Sequence, residues 1–159
     1  MSYYHTHVAV LALVGLIAVP ASADQTFSIL QEFPTLTHVD IGVQGSSHGD
    51  VMAFEAAFTS DDGASGEMHG IIITVSIPIG ENDPFLDRFA QIVVNFGDTN
   101  TLVIGGMAAY PNGQAEMAPD SPHVRAVIGG TGRFIGARGQ MVTTRRDAGH
   151  YEHTFTLVD

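Results

Sequence analysis

The chain has 159 residues, enough for one domain with a sizeable core, and no cysteine, which excludes disulfides, thiol nucleophiles and cysteine-based zinc sites. Its formal net charge of −11 repels phosphate backbones and argues against a nucleic-acid partner. The charge is uneven: residues 1–87 hold eleven acids and no Lys or Arg, while residues 88–159 hold six acids and all six Arg, which reads as charge balance between adjacent strands.

In chain order, residues 8–19 form a 12-residue apolar run, too short to span a bilayer, where about 20 residues are needed. Pro20 ends it, and Ala21-Ser22-Ala23 supplies the small residues that signal peptidase cuts. Residues 1–23 are therefore expected to be a signal peptide, cleaved near Ala23/Asp24, and residues 24–159 a single domain. The mature protein is expected to be secreted or periplasmic and to have no membrane span once the leader is removed.

The remaining sequence predicts strands. Residues 38–44 alternate, and in residues 50–58 Met52, Phe54, Ala56 and Phe58 share one face. Ser60-Asp61-Asp62-Gly63 signals a turn. Residues 67–77 contain the β-branched run Ile71-Ile72-Ile73-Thr74-Val75, suited to a buried strand, and a Pro- and Gly-containing loop follows to Pro84. Strands are expected at 89–96 and 101–107, with a turn at Gly97-Asp98-Thr99-Asn100. Residues 110–122 carry Pro111, Asn112, Gly113, Pro119 and Pro122 and read as a loop or lid. Three last strands lie near 123–128, 138–146 and 150–158, the last alternating Tyr151, His153, Phe155 and Leu157. No stretch after the leader has helical periodicity. About eight short strands joined by tight turns predict an all-β fold, an eight-stranded antiparallel β-barrel, since closure removes exposed edges.

The Gly-rich segment at residues 129–139 resembles a nucleotide-binding turn, but Gly132 and Gly136 are separated by three residues, one more than the dinucleotide fingerprint allows. Only 23 residues follow Gly136, and they read as two strands, leaving no room for a nucleotide fold.

With that segment the order of motifs becomes recognisable. His38-Val39-Asp40-Ile41, Gly49-Asp50 followed by Phe54, Gly70 before an apolar strand, Asp87-Arg88-Phe89, Phe96-Gly97-Asp98 and the run from Ile128 to Gln140 resemble the allene oxide cyclase family and, more distantly, dirigent proteins. The resemblance implies an eight-stranded barrel with an apolar cavity that cyclises or isomerises a reactive hydrophobic substrate without a cofactor. Some bacterial relatives form rings by pericyclic reactions. It also implies homotrimers or homodimers.

The same resemblance implies catalytic roles for Asp40, on the first strand at the cavity floor, and Tyr110. It places Met52, Phe54, Ser76 and Phe89 as substrate-binding residues. The chain departs from the plant cyclases at Gly42 and Ala56, where those enzymes carry two Asn, and at Ser76, where they carry Cys; the loss argues against an allene oxide as substrate. No metal is expected, because His150 and His153 are three apart, on opposite faces of a strand, and the other His show no short ligand spacing. Two further functions fit the same barrel: a non-catalytic carrier of a hydrophobic ligand, and a dirigent-like auxiliary that steers coupling of a radical made elsewhere.

Overall fold

A computed structural model of the chain describes residues 25–78, 84–146 and 148–158. The expected leader, most of the loop before Pro84, and Asp147 of the expected turn before β9 lie outside these residues. The described residues form nine strands: β1 Gln25–Gln31, β2 Thr35–Val39, β3 Val51–Ser60, β4 Ser65–Ser76, β5 Phe85–Asn95, β6 Thr101–Pro111, β7 His123–Gly130, β8 Arg138–Arg145 and β9 Tyr151–Val158. All pairings between strands are antiparallel, in the order β1-β9-β8-β7-β6-β5-β4-β3-β2, and β1 also pairs with β3, which closes the sheet. β1 and β2 share one barrel position: β1 pairs with Phe58–Ser60 of β3, and β2 with the stretch from Val51 to Glu55. The fold is therefore the closed eight-stranded barrel that the strand pattern predicts.

Two expectations shift. β1 was not anticipated, because Gln, Thr and Ser dilute its apolar positions. The strand expected at 38–44 ends at Val39. Gly42, Gly45 and Gly49 all adopt positive φ (95°, 108° and 90°), values that favour glycine and break strand pairing. Asp50 organises this loop, accepting backbone N–H bonds from Ile41 (2.9 Å) and Ser47 (2.7 Å).

Strand alternation sets what fills the barrel. Ile29, Met52, Phe58, Met68, Ile72, Ile92, Val94, Leu102, Ile104, Val127, Met141 and Phe155 are buried within one contiguous core. One end is sealed by aromatic rings: Phe27 stacks on Phe155 with centroids 4.8 Å apart, and Phe96 meets Phe58 and Phe134, each at 5.1 Å. Phe134 reaches this cluster from a single 3-10 turn, Gly132–Phe134, which joins β7 to β8. The Gly-rich segment is thus a wall-to-wall turn. Its glycines answer to space: a Cβ on Gly130 would lie 2.7 Å from Phe134 Cβ, and one on Gly139 would collide with the Thr156 carbonyl. Gly66 and Gly70 of β4 make room for the rings of Phe58 and Phe54 on the paired strand.

Candidate functional site

The other end of the barrel is open and chemically different. Its cavity is about 50 Å³, room for a few water molecules. Met52, Phe54, Ile72 and Ile92 form an apolar wall, with Pro34 and Leu36 at the rim. Gln31, Tyr110, Arg125, Thr143, Tyr151 and His153 contribute the polar groups. The segment after β6 folds over the mouth, so that Ala115, Glu116 and buried Met117 complete the lining. This is the expected lid, except that Tyr110 and Pro111 belong to β6 rather than to the loop. An outer basin of about 290 Å³ adjoins the cavity, lined by His38, Asp50 and Arg88 among others, and Met52 and Ala115 line both spaces. Methionine is unbranched and adapts its shape readily, so a shift of Met52 would join cavity to basin.

The polar lining is paired in a definite way. Imidazole Nε2 of His153 lies 2.9 Å from Oε1 of Gln31, and Nδ1 lies 3.0 Å from the Thr143 hydroxyl. Burial, reinforced by the charge of Arg125, pushes His153 down to about 3, so the ring is neutral. A carboxamide oxygen only accepts, hence Nε2 carries the proton and Nδ1 accepts from Thr143. Glu116 accepts from Arg145 Nη2 (3.0 Å) and from the Tyr151 hydroxyl (3.2 Å). Burial, with Glu116 beside it, pushes the Tyr151 phenol up and keeps it protonated as the donor.

Tyr110 is held between two guanidinium groups. Arg125 Nη2 donates to its hydroxyl oxygen at 3.1 Å, and Arg88 lies 4.8 Å from the ring centroid. Arg88 also donates to the carbonyls of Gln114 (3.1 Å) and Ala115 (3.0 Å), anchoring the lid. The Tyr110 hydroxyl hydrogen has no protein acceptor among the described residues, so it is available to a bound molecule. Donation from Arg125 to the same oxygen polarises that O–H and strengthens it as a donor. At the basin, the two backbone N–H bonds hold the Asp50 carboxyl below its ordinary range, with His38 and Arg88 adding to the effect.

Of the residues expected from sequence, Met52, Phe54 and Tyr110 come together in the cavity wall. Asp40 lies elsewhere: it follows β2, is exposed, and its Oδ2 accepts weakly from the Gly45 N–H at 3.4 Å. It is not at the cavity floor, and the carboxylate that faces the basin is Asp50. Ser76 is exposed because the register slips between Thr74 and Ser76, which sets it opposite Asp87; the bulge turns it out of the alternation that buries Ile72 and Thr74. Phe89 is on the outer wall, 40% exposed, between Ile73 and Met107 on the flanking strands. The sequence reading missed Arg125, Glu116 and His153. For His153 the signal was present, since it alternates with Tyr151, Phe155 and Leu157 on the core face of β9. Arg125, read as charge balance, is instead 3% exposed inside the barrel.

No protein-family model matches the chain, and no curated protein matches it. Solved structures do. A pyocyanin demethylase aligns with a TM-score of 0.61 at 14% identity, over 86% of this chain and 100% of that one. The Diels Alderase AbmU from Streptomyces koyangensis gives 0.63 at 14% identity, over 86% of this chain but only 64% of that protein. The pterocarpan synthase dirigent protein PsPTS1 gives 0.57 at 17% identity, over 88% and 97%. At these identities the likeness is one of fold: proteins of cyclase and dirigent name share this barrel.

Proposed function

We propose that the barrel binds a hydrophobic, unsaturated small molecule in its open end and promotes its cyclisation or isomerisation. The observation that carries this reading is Tyr110, a buried phenol whose hydrogen is free and whose oxygen is held by Arg125, set in a mostly apolar cavity. Support comes from the barrel shared with a Diels Alderase and a pterocarpan synthase dirigent protein. The cofactor-free character of the chemistry, and the kinship with allene oxide cyclases, rest on the sequence motifs.

Ring closure within one molecule adds and removes no atoms, so confinement can supply much of the rate. Holding reacting carbons in a near-attack shape is worth roughly 7–11 kcal/mol in the best intramolecular cases. The Tyr110 O–H would stabilise charge developing on a substrate oxygen; a single donor of this kind typically contributes about 3 kcal/mol. Met52 and Phe54 would shape the chain, and the loop carrying Met117 would exclude water. Export by residues 1–23 and self-association remain part of the proposal. Ile71, Phe89, Met107, Val124 and Ile128 are exposed large apolar residues on β4 to β7, which suits an interface between copies.

The test begins with native mass spectrometry of protein purified from its host, to identify a co-purified ligand, followed by incubation of that ligand with purified protein. Conversion by protein alone, slowed about 100-fold by Tyr110→Phe even at saturating ligand, is the expected result. Recovery of unchanged ligand would leave a carrier, and product formed only after adding an oxidase would indicate a dirigent-like auxiliary. Asp40→Asn decides the role expected from sequence: turnover equal to wild type removes Asp40 from the chemistry.

A further inference from the structure

Among the described residues two guanidinium groups, Arg125 and Arg145, leave a buried Nε without a hydrogen-bond partner, and of the two only Arg145 is paired with a carboxylate. Alternation along β7 directs Arg125 and Val127 inward and Val124, Ala126 and Ile128 outward. The Arg125 stem packs against Gly106 of β6, where an added Cβ would lie in ordinary contact, 3.4 Å from its Cγ. A guanidinium carries five N–H donors. Arg125 uses one, to Tyr110, and its buried Nε has no hydrogen-bond partner among the described residues.

No carboxylate among the described residues pairs with it. Glu116, the acid of the cavity lining, is engaged by Arg145 and Tyr151. Asp50 is committed to the backbone of the preceding loop. His153 faces Arg125 as a neutral ring. Arg88 donates from Nη1 to both lid carbonyls and lies over the Tyr110 ring rather than beside Arg125. A buried cation without a partner is costly, and the same low-dielectric surroundings make it a strong attractor for an anion.

We propose that Arg125 and Tyr110 form a seat for an anionic head group, so that the ligand is a compact amphipathic acid: a planar monoanion, carboxylate or enolate, joined to an unsaturated apolar chain. One anionic oxygen takes the free Arg125 N–H donors, and the second oxygen or its neighbour takes the Tyr110 O–H. The fork of a guanidinium suits this two-point recognition. The chain then runs over Met52, Phe54 and Ile92. The inference rests on the cavity being the ligand site, and it names the class of molecule that enters.

The experiment compares 2,4-hexadienoate with 2,4-hexadienamide, equal in chain and differing in charge, by titration calorimetry on the full-length protein. Wild type is expected to bind the acid at least tenfold more tightly than the amide. Arg125→Met, which keeps the stem and removes the charge, brings the two affinities within about twofold while melting no lower than wild type. Arg138→Met, at an exposed position on β8 that lines neither space, keeps the preference. Equal affinity of wild type for both probes overturns the anion seat but leaves a ligand cavity standing; binding of neither probe overturns both. A preference that survives Arg125→Met, or that disappears in Arg138→Met instead, also overturns the assignment.

Discussion

The two ends of the barrel are built from the same strands and filled in opposite ways. On β9, Phe155 and Leu157 seal one end, while Tyr151 and His153 serve the other; on β3, Phe58 packs into the aromatic cluster and Met52 and Phe54 line the cavity. The sealed end contains rings in contact and is capped by a tight turn. The open end holds Gln31, Arg125, Thr143 and His153, each buried, under a loop rather than a turn. Rings in contact exclude water and add about 0.5–1.5 kcal/mol per pair beyond area burial. Buried polar groups add little net stability, even when satisfied. The contrast teaches that one half of the barrel holds the fold together and so lets the other half carry groups that the fold does not need.

The largest effect should come from breaking the sealed end. Phe155 is fully buried and stacked on Phe27, and Phe155→Ala is expected to cost about 3–5 kcal/mol in denaturant unfolding. Phe54→Ala, partly buried in the cavity wall, is expected to cost roughly half as much and to weaken ligand binding as well. Equal losses for the two variants would erase the distinction between the ends.

The second effect separates the ends by pH. His153 in the folded barrel stays neutral down to about 3, against 6.5 for an unperturbed imidazole. Between those values the unfolded chain binds a proton that the native state refuses. Stability therefore falls as pH drops from 6.5 toward 3, by up to about 1.4 kcal/mol per pH unit. His153→Gln, which keeps hydrogen-bonding groups and does not titrate, should flatten most of that slope in urea titrations at pH 6.5, 5.5 and 4.5. Burial also holds His123 below its ordinary value, which leaves a smaller residual slope in the same direction. A variant as acid-sensitive as wild type would mean that the open end is wet enough to protonate His153 in place.

Period-two alternation located β3 and β9, and a β-branched run located β4, because one face of each strand must fill the barrel, while the Gly-rich turn was recognisable as a run whose glycines are demanded by contact with Thr101, Phe134 and Thr156. The same rule misled wherever the outer wall is also apolar. Val124 and Ile128 look like core and are exposed, while Arg125 looks like surface and is buried; Phe89, placed at the cavity by resemblance, lies on the outer wall. Ser76 was lost to a bulge, which no pattern of apolar residues announces. Asp40 was carried over by resemblance onto a strand that ends one residue earlier. Composition therefore read the sealed end well, because packing determines it, and read the open end poorly, because its residues are placed for chemistry against the usual preference for burial.

The smallest effect tests how firmly the lid is tied to the open end. Tyr151 reaches Glu116 through a single donated hydrogen bond, and Arg145 holds the other carboxylate oxygen. Further ties are the Asp120 N–H to the Arg145 carbonyl at 2.8 Å and the Arg88 bonds to Gln114 and Ala115. Tyr151→Phe removes one tie among several and leaves no buried charge unpaired, so the expected cost is about 0.5–1.5 kcal/mol. The sealed end shares no partner with this bond, so the loss should be local. Amide exchange at residues 114–117 is expected to quicken severalfold while exchange near Phe134 and Phe155 stays at the wild-type rate. Faster exchange at both ends would show that the lid and the aromatic cluster open together, and that the barrel behaves as one cooperative unit rather than as a rigid half supporting a looser one.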